Sequence, residues 1–272
     1  MGVERMMKKS VPNFRPEWRL LPAPPIGNSA PVANDYIMDL LASNTVVSVT
    51  GVRRFTNDND IELDDGTTIT ADAVVFCTGY RYDFSIMSPE ADPSATSTPE
   101  WEASRHNNGL RYPRLYQGML SPKFPESLAF VGAWRGHSFA AFSNADLSGQ
   151  AIAQIWKGGY TLPSQQEIDK WCDEHYKQSL KQISVYSLVK VGHPPGDLER
   201  WLNDVTGNGI NEKLGWGWEG WKFWWSEHKL YKILMDGIDT SYIYRLFDGR
   251  RQKWEGAREA IYKTNGKPLN KP

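Results

Sequence analysis

The chain has 272 residues, 40% of them hydrophobic and 23% charged, with a net charge of −1. That balance allows one large domain or two ordinary ones with a sizeable core, and it excludes bulk electrostatic attraction to nucleic acid or to an anionic membrane. Two cysteines far apart, Cys77 and Cys172, exclude a disulfide framework and a Cys-x-x-Cys redox pair, and no apolar stretch approaches the roughly 20 residues of a membrane span.

In chain order, residues 1–11 are basic without an apolar segment, so no secretory signal is expected and a reducing, cytoplasmic setting is. Pro22, Pro24 and Pro25 follow closely, and residues 1–31 are expected to run extended. Residues 32–42 suit a helix with Tyr36, Ile37, Leu40 and Leu41 on one side. Four short runs, 46–49, 52–55, 60–63 and 67–70, read as a strand followed by a small antiparallel excursion. Asp64-Asp65-Gly66 is its hairpin signal.

Residues 71–80 read Ala-Asp-Ala-Val-Val-Phe-Cys-Thr-Gly-Tyr. The β-branched and aromatic run 73–76 suits a strand buried on both faces, with Cys77 a buried small residue. Gly79 then permits a sharp turn and close approach to another group. At the carboxyl end of a parallel strand, such a turn commonly lies beside a dinucleotide.

Residues 88–98 read as a loop, 115–119 as a pairing strand, 121–125 as a turn, and 127–131 as a second buried strand closed by Gly132. A helix is expected over 144–156, stopped by Gly158-Gly159. Ser164-x-x-Glu167 is a capping box opening a helix with Ile168, Trp171, Cys172, Tyr176, Leu180 and Ile183 at three- and four-residue steps. Residues 164–272 are expected to form a separate helical extension. Within it lie Trp216, Trp218, Trp221, Trp224 and Trp225, interleaved with glycines and followed by Lys222, Lys229 and Lys232. This cluster suits either a membrane interface or a packed core, and the acidic Glu219, Glu227 and Asp236 favour packing. Left unpacked, it would expose an aggregation-prone surface.

Two blocks in this order resemble the flavin-containing monooxygenase family, dimethylaniline monooxygenase-like and of fungal type. The first, 28–84, has Asn34-Asp35 before a helix, then Asp64-Asp65-Gly66, Asp72, the Thr78-Gly79-Tyr80 crossing and Asp83-Phe84. Cys77 stands where the family usually has Ala. The second block has Leu115-Tyr116-Gln117-Gly118, Leu128-Ala129-Phe130-Val131-Gly132, and a helix carrying Ala145, Asp146 and Gln150. The tail, with Trp224-Trp225 and Tyr244-Arg245-Leu246-Phe247, is similar to extensions of fungal members.

The resemblance implies an α/β fold: an incomplete two-dinucleotide-binding, Rossmann-like flavoprotein with a helical, Trp-rich C-terminal extension. Its parts would be 1–31, an extended lead; 32–87, the end of the NADP-binding domain and the crossover; 88–163, the C-terminal part of the FAD-binding domain; and 164–272, the extension. It implies FAD, NADPH and oxygenation of an amine nitrogen or sulfide sulfur through a flavin C4a-hydroperoxide. The cofactor carries that chemistry, so no catalytic cluster is required of the chain.

By the same resemblance, Thr78 and Gly79 would line the dinucleotide site. Gly132, Ser138, Ser143 and Asn144 would lie near the flavin, where a helix N-terminus stabilises negative charge on the reduced ring. Ser143 or Asn144 serves equally as a plain N-cap. His137 reads better as a surface residue, and His106, His175, His193 and His228 lack metal-ligand spacing. The family's Gly-rich phosphate loops and its Phe-x-Gly-x-x-x-His segment are expected to precede residue 1. On that expectation FAD and NADPH bind weakly or not at all, and the chain reads as a truncation, a gene-model fragment or half of a split protein whose partner chain supplies the rest. The substrate would be a small molecule, with no nucleic-acid partner. Two further readings stand beside this one: a Baeyer–Villiger monooxygenase acting on ketones, and a non-catalytic remnant or interaction module built on the Trp-rich tail.

Overall fold

The computed structural model describes residues 14–21, 34–57, 59–77, 83–104, 106–107, 109–132, 141–185 and 196–266. They fall into two compact units, Met1–Arg81 and Tyr82–Pro272.

In the first unit, helix α1 (Ile37–Ala42) starts later than the expected 32. The Asn34 side-chain oxygen accepts from the backbone N–H of Tyr36 at 2.8 Å and of Ile37 at 2.7 Å, an Asx turn that delays the helix. Strands β1 (Val52–Phe55), β2 (Asp60–Leu63) and β3 (Thr68–Thr70) form an antiparallel sheet in the order β1-β2-β3, with Ile61 opposite both Phe55 and Ile69. Ile61 and Leu63 alternate inward along β2. The hairpin turn is the expected one. Gly66 takes φ 83° and donates its N–H to Leu63 O at 3.0 Å, closing a three-residue loop with a G1 bulge. Hydrogen bonds from the Thr67 hydroxyl and backbone N–H hold the Asp65 carboxyl below its usual range.

Residues 46–49 and 73–76 do not form the expected strands. Both runs lack a ladder partner among the described residues and stand in solvent, Val75 82% and Phe76 72% exposed. A parallel strand exists only where neighbours take up its N–H and C=O groups and helices cover both faces. Cys77 is likewise exposed rather than buried.

In the second unit, residues 88–98 run through successive turns to the short helix α2 (Pro99–Glu102), capped by the Thr98 hydroxyl. The expected strand 115–119 is a tight turn instead, with Gln117 at φ 51° and Gly118 at φ 67°. Residues 127–131 form no parallel strand. Leu120 bridges Ala129 in antiparallel sense, flanked by Ser121 N–H to Leu128 O at 3.0 Å and Phe130 N–H to Met119 O at 2.7 Å.

Helix α3 (Ala141–Trp156) ends in a Schellman motif: Gly159 N–H reaches Gln154 O at 2.8 Å and Gly158 N–H reaches Ile155 O at 3.0 Å, with Gly158 at φ 77°. Helix α4 (Gln165–Val185) opens on the expected capping box, the Glu167 carboxylate accepting the Ser164 N–H and hydroxyl at 2.9 and 2.7 Å. There follow α5 (Asp197–Thr206), α6 (Ile210–Lys213), α7 (Trp218–Ser226), α8 (His228–Asp236) and α9 (Ala257–Thr264). One core runs through α3 and these later helices alike, with Leu147, Ala151, Leu202, Val205, Leu230 and Ile261 all essentially closed to solvent. Cys172 belongs to it, and burial pushes its thiol up to about 12, an inert apolar role.

Glu227 joins α7 and α8 to α9, accepting two bonds from the Arg258 guanidinium at 3.0 and 2.8 Å. That pairing lowers the Glu227 pKa from 4.5, so the folded state holds its charge better than the unfolded chain does. The stabilisation is complete above pH 4.5 and is lost as pH falls through the lower folded value. Melting temperatures measured from pH 7 downward should fall more steeply below about pH 4.5 in the parent chain than in Glu227→Gln. Parallel curves would contradict this.

Candidate functional site

Of the six residues expected at a cofactor site, Thr78, Gly79 and Ser138 lie outside the described residues, as does His137. Gly132 ends the segment that bridges at Ala129 and takes φ 82° in an exposed turn. A Cβ there would meet nothing within 4 Å, so the backbone angle, not crowding, calls for glycine. Ser143 and Asn144 are the third and fourth residues of α3, which begins ahead of the expected 144. Neither is an N-cap. Ser143 is 5% exposed and Asn144 half-buried.

The first turn of α3 carries no acidic side chain, and a helix N-terminus holds partial positive charge. Two ties from distant chain fix the helix. Asp146 accepts from Arg245 at 2.5 and 3.3 Å and from Gln150 at 2.9 Å, while the Gln150 oxygen accepts from Arg251 Nε at 2.7 Å. Burial, and then the charge of Arg245, lowers the Arg251 pKa. The donors at the start of α3 are backbone N–H groups, a hydroxyl and a carboxamide. This neutral set suits the polar edge of a heteroaromatic ring that gains electrons. For a pyrophosphate the same turn offers no basic side chain.

A Gly-x-Gly-x-x-Gly spacing occurs within the chain at Gly215, Gly217 and Gly220. Its setting is wrong for a dinucleotide: it links helix α6 to helix α7, whereas the fingerprint follows a strand. These glycines serve close packing, since a Cβ on Gly220 would fall 1.9 Å from Gly215 O and one on Gly215 2.5 Å from Asn211 O.

His175, expected only to lack metal-ligand spacing, proves to be a buried polar residue. It lies on the buried stripe of α4 with Ile168, Cys172, Ser179 and Ile183, a placement the four- and three-residue steps already encode. Its ring stacks on Trp171 at 5.0 Å and its Nδ1 lies 3.1 Å from the Tyr112 hydroxyl. A polar cleft of about 210 Å³ adjoins it, lined by Gln117, Glu174, Gln178 and Asp197 between Trp171 and Trp201. A second cleft of about 280 Å³ contains Arg114, which is tied to Asp169 at 3.2 Å and Asp173 at 2.5 Å. Among the described residues no group of three or more His, Cys, Asp or Glu is placed to hold a metal, and no helix is long and apolar enough to cross a membrane.

The profile described as flavin-binding monooxygenase-like matches residues 4–271. The chain is 36% identical over 259 residues to monooxygenase aurF of Gibberella zeae, covering 93% of this chain and 48% of that protein. It is 24% identical over 258 residues to flavin-containing monooxygenase 3 of Macaca mulatta, covering 94% and 43%. The chain spans just under half the length of these relatives. Among solved structures, S-allyl-L-cysteine S-oxygenase from Allium sativum aligns with a TM-score of 0.43 at 20% identity, over 78% of this chain and 43% of that one.

Proposed function

The chain belongs to the flavin-binding monooxygenase-like family, and from that premise we propose that it contributes the crossover and flavin-edge half of an FAD- and NADPH-dependent monooxygenase. By family it is a flavin-dependent monooxygenase. The reaction we assign to it is transfer of one oxygen atom of O₂ to an amine nitrogen or sulfide sulfur, the second oxygen leaving as water while NADPH is oxidised. Bound FAD, reduced by NADPH, supplies the oxygen activation.

The protein's own part is to bind, orient and exclude water. The first turn of α3, with Ser143 and Asn144, would hold the polar edge of the flavin ring and stabilise the negative charge it acquires. Gly132 and Ser138 would line the approach to that turn. Thr78 and Gly79 would lie beside the dinucleotide at the crossing between the NADP-binding part, 32–87, and the FAD-binding part, 88–163. The Rossmann-like arrangement of these parts, the helical extension 164–272 and a cytoplasmic setting belong to the same proposal. So does a partner chain carrying the phosphate loops. The observation that carries it is the family match over nearly the whole chain.

A flavin titration tests it. Mixing the chain with FAD should perturb the flavin bands near roughly 370 and 450 nm, weakly and reversibly, and Asn144→Ala should reduce the change. A flavin spectrum left untouched by the chain even with the phosphate-binding half supplied would sink the reading. With the phosphate-binding half supplied, a tertiary amine and a sulfide should give an N-oxide and a sulfoxide. Ester from a ketone would assign it to the Baeyer–Villiger type instead. The second reading, a non-catalytic interaction module, is favoured by the exposed tryptophans of α7.

A further inference from the structure

Four tryptophans stand in solvent on one side of the second unit. Positions 218, 221 and 225 follow three- and four-residue steps, so their side chains share one face of α7. They are 79%, 53% and 82% exposed, and Trp216, just before the helix, is 91% exposed. Trp216 meets Trp221 edge-on at 6.4 Å, which makes the patch continuous. The opposite side of the helix, Gly220 and Phe223, is buried.

Charge separates this face from an unfinished core. Lys222 lies within the stripe and Lys229 just beyond it, both exposed, and neither forms an ion pair among the described residues. The carboxylates beside them take their hydrogen bonds elsewhere: Glu219 from Lys213 at 2.7 Å, with only a weaker charge interaction from Lys222, and Glu227 from Arg258. Asp236, near the far end of α8, is exposed. Among the described residues no protein acceptor takes the indole N–H of Trp216, Trp218, Trp221 or Trp225. A protein partner's apolar core would desolvate Lys222. Indole combines an apolar ring with a hydrogen-bond donor and settles at headgroup depth, where lysine heads meet phosphate.

We propose that this face of α7 seats on an anionic lipid surface, the indoles of Trp216, Trp218, Trp221 and Trp225 lying among the headgroups with Lys222 and Lys229 against lipid phosphates. The contact lies on the bilayer and does not span it, in keeping with the absence of a spanning helix among the described residues. It is independent of the flavin reading, because α7 carries none of the residues assigned to the cofactor.

The test is sedimentation of the full chain with vesicles of phosphatidylcholine, with and without phosphatidylserine, alongside quenching of tryptophan fluorescence by bromine-labelled lipid. The chain should sediment with phosphatidylserine vesicles and be quenched by the brominated lipid. Trp218→Ser combined with Trp225→Ser should weaken partitioning about tenfold or more, with the circular dichroism spectrum retained. Lys222→Glu with Lys229→Glu should abolish the preference for phosphatidylserine. Failure to sediment with either vesicle would overturn the proposal, as would binding insensitive to these four changes. So would a lipid-free dimer that the tryptophan variants dissociate, which would assign the face to a second copy of the chain.

Discussion

Replacing Trp101 by alanine should destabilise the Tyr82–Pro272 unit by about 3–5 kcal/mol, read as a drop in the urea midpoint at unchanged slope. The indole is 1% exposed, meets Tyr112 edge-on at 5.0 Å and Tyr176 at 6.4 Å, and donates its N–H to Leu110 O at 2.8 Å. The surrounding cluster is small, with Leu115 and Ile183 as its other buried members alongside Tyr112. Few neighbours can therefore collapse into the cavity, which places the cost high in the range for a large-to-small change. Trp101→Phe should cost less, about 1–3 kcal/mol, chiefly through the lost N–H donor. A wild-type midpoint for Trp101→Ala would mean that the 88–115 segment does not pack on α4 as described.

Gly220→Ala should also destabilise, although helix propensity argues the other way. Glycine in a helix interior is worse than alanine by about 1 kcal/mol, so an unobstructed site would gain. At Gly220 the new Cβ would lie 1.9 Å from Gly215 O and 3.0 Å from Gly215 C, backbone atoms that no rotamer change can move aside. Overpacking of that severity costs about 3 kcal/mol, leaving a net loss of about 2. The control is Gly149→Ala on the exposed side of α3, where the new Cβ meets nothing within 4 Å. It should stabilise by up to about 1 kcal/mol. Two identical substitutions in helices would then carry opposite signs, and melting curves of the pair decide the matter. If Gly220→Ala were neutral, α6 and α7 would not pack as closely as described.

What the sequence disclosed was mostly local. Asp64-Asp65-Gly66, Ser164-x-x-Glu167 and Gly158-Gly159 each encode a hydrogen-bond pattern closed within six residues, and each appears in the structure as expected. The α4 stripe is similar, since its period fixes a face whatever packs there. The strands expected at 46–49, 73–76 and 127–131 depended on neighbours, and an apolar run announces burial without saying what will pair with it. Asn34 shortened α1 through a side-chain bond that a periodicity argument does not weigh. Near the candidate site, the helix bearing Ser143 and Asn144 was legible, but its start was not, so an N-cap role for either was mistaken. The glycine triplet 215–220 shows the same limit, because its spacing is shared by motifs whose backbone settings differ.

The ties that hold α3 also set when it can become native. Arg245 reaches back 99 residues to Asp146, and Arg251 reaches back 101 to Gln150. Contacts of such high order must close a long loop before they return any free energy, and they slow folding relative to a bundle stitched by neighbours. During synthesis, α3 would therefore leave the ribosome with its polar clamp unmade and wait for about another hundred residues before it could lock. A nascent chain stalled ahead of Arg245 could already bury Leu147 and Ala151 of α3 with Leu202 and Val205 of α5, but the polar side of α3 would stay unclamped until Arg245 and Arg251 emerged.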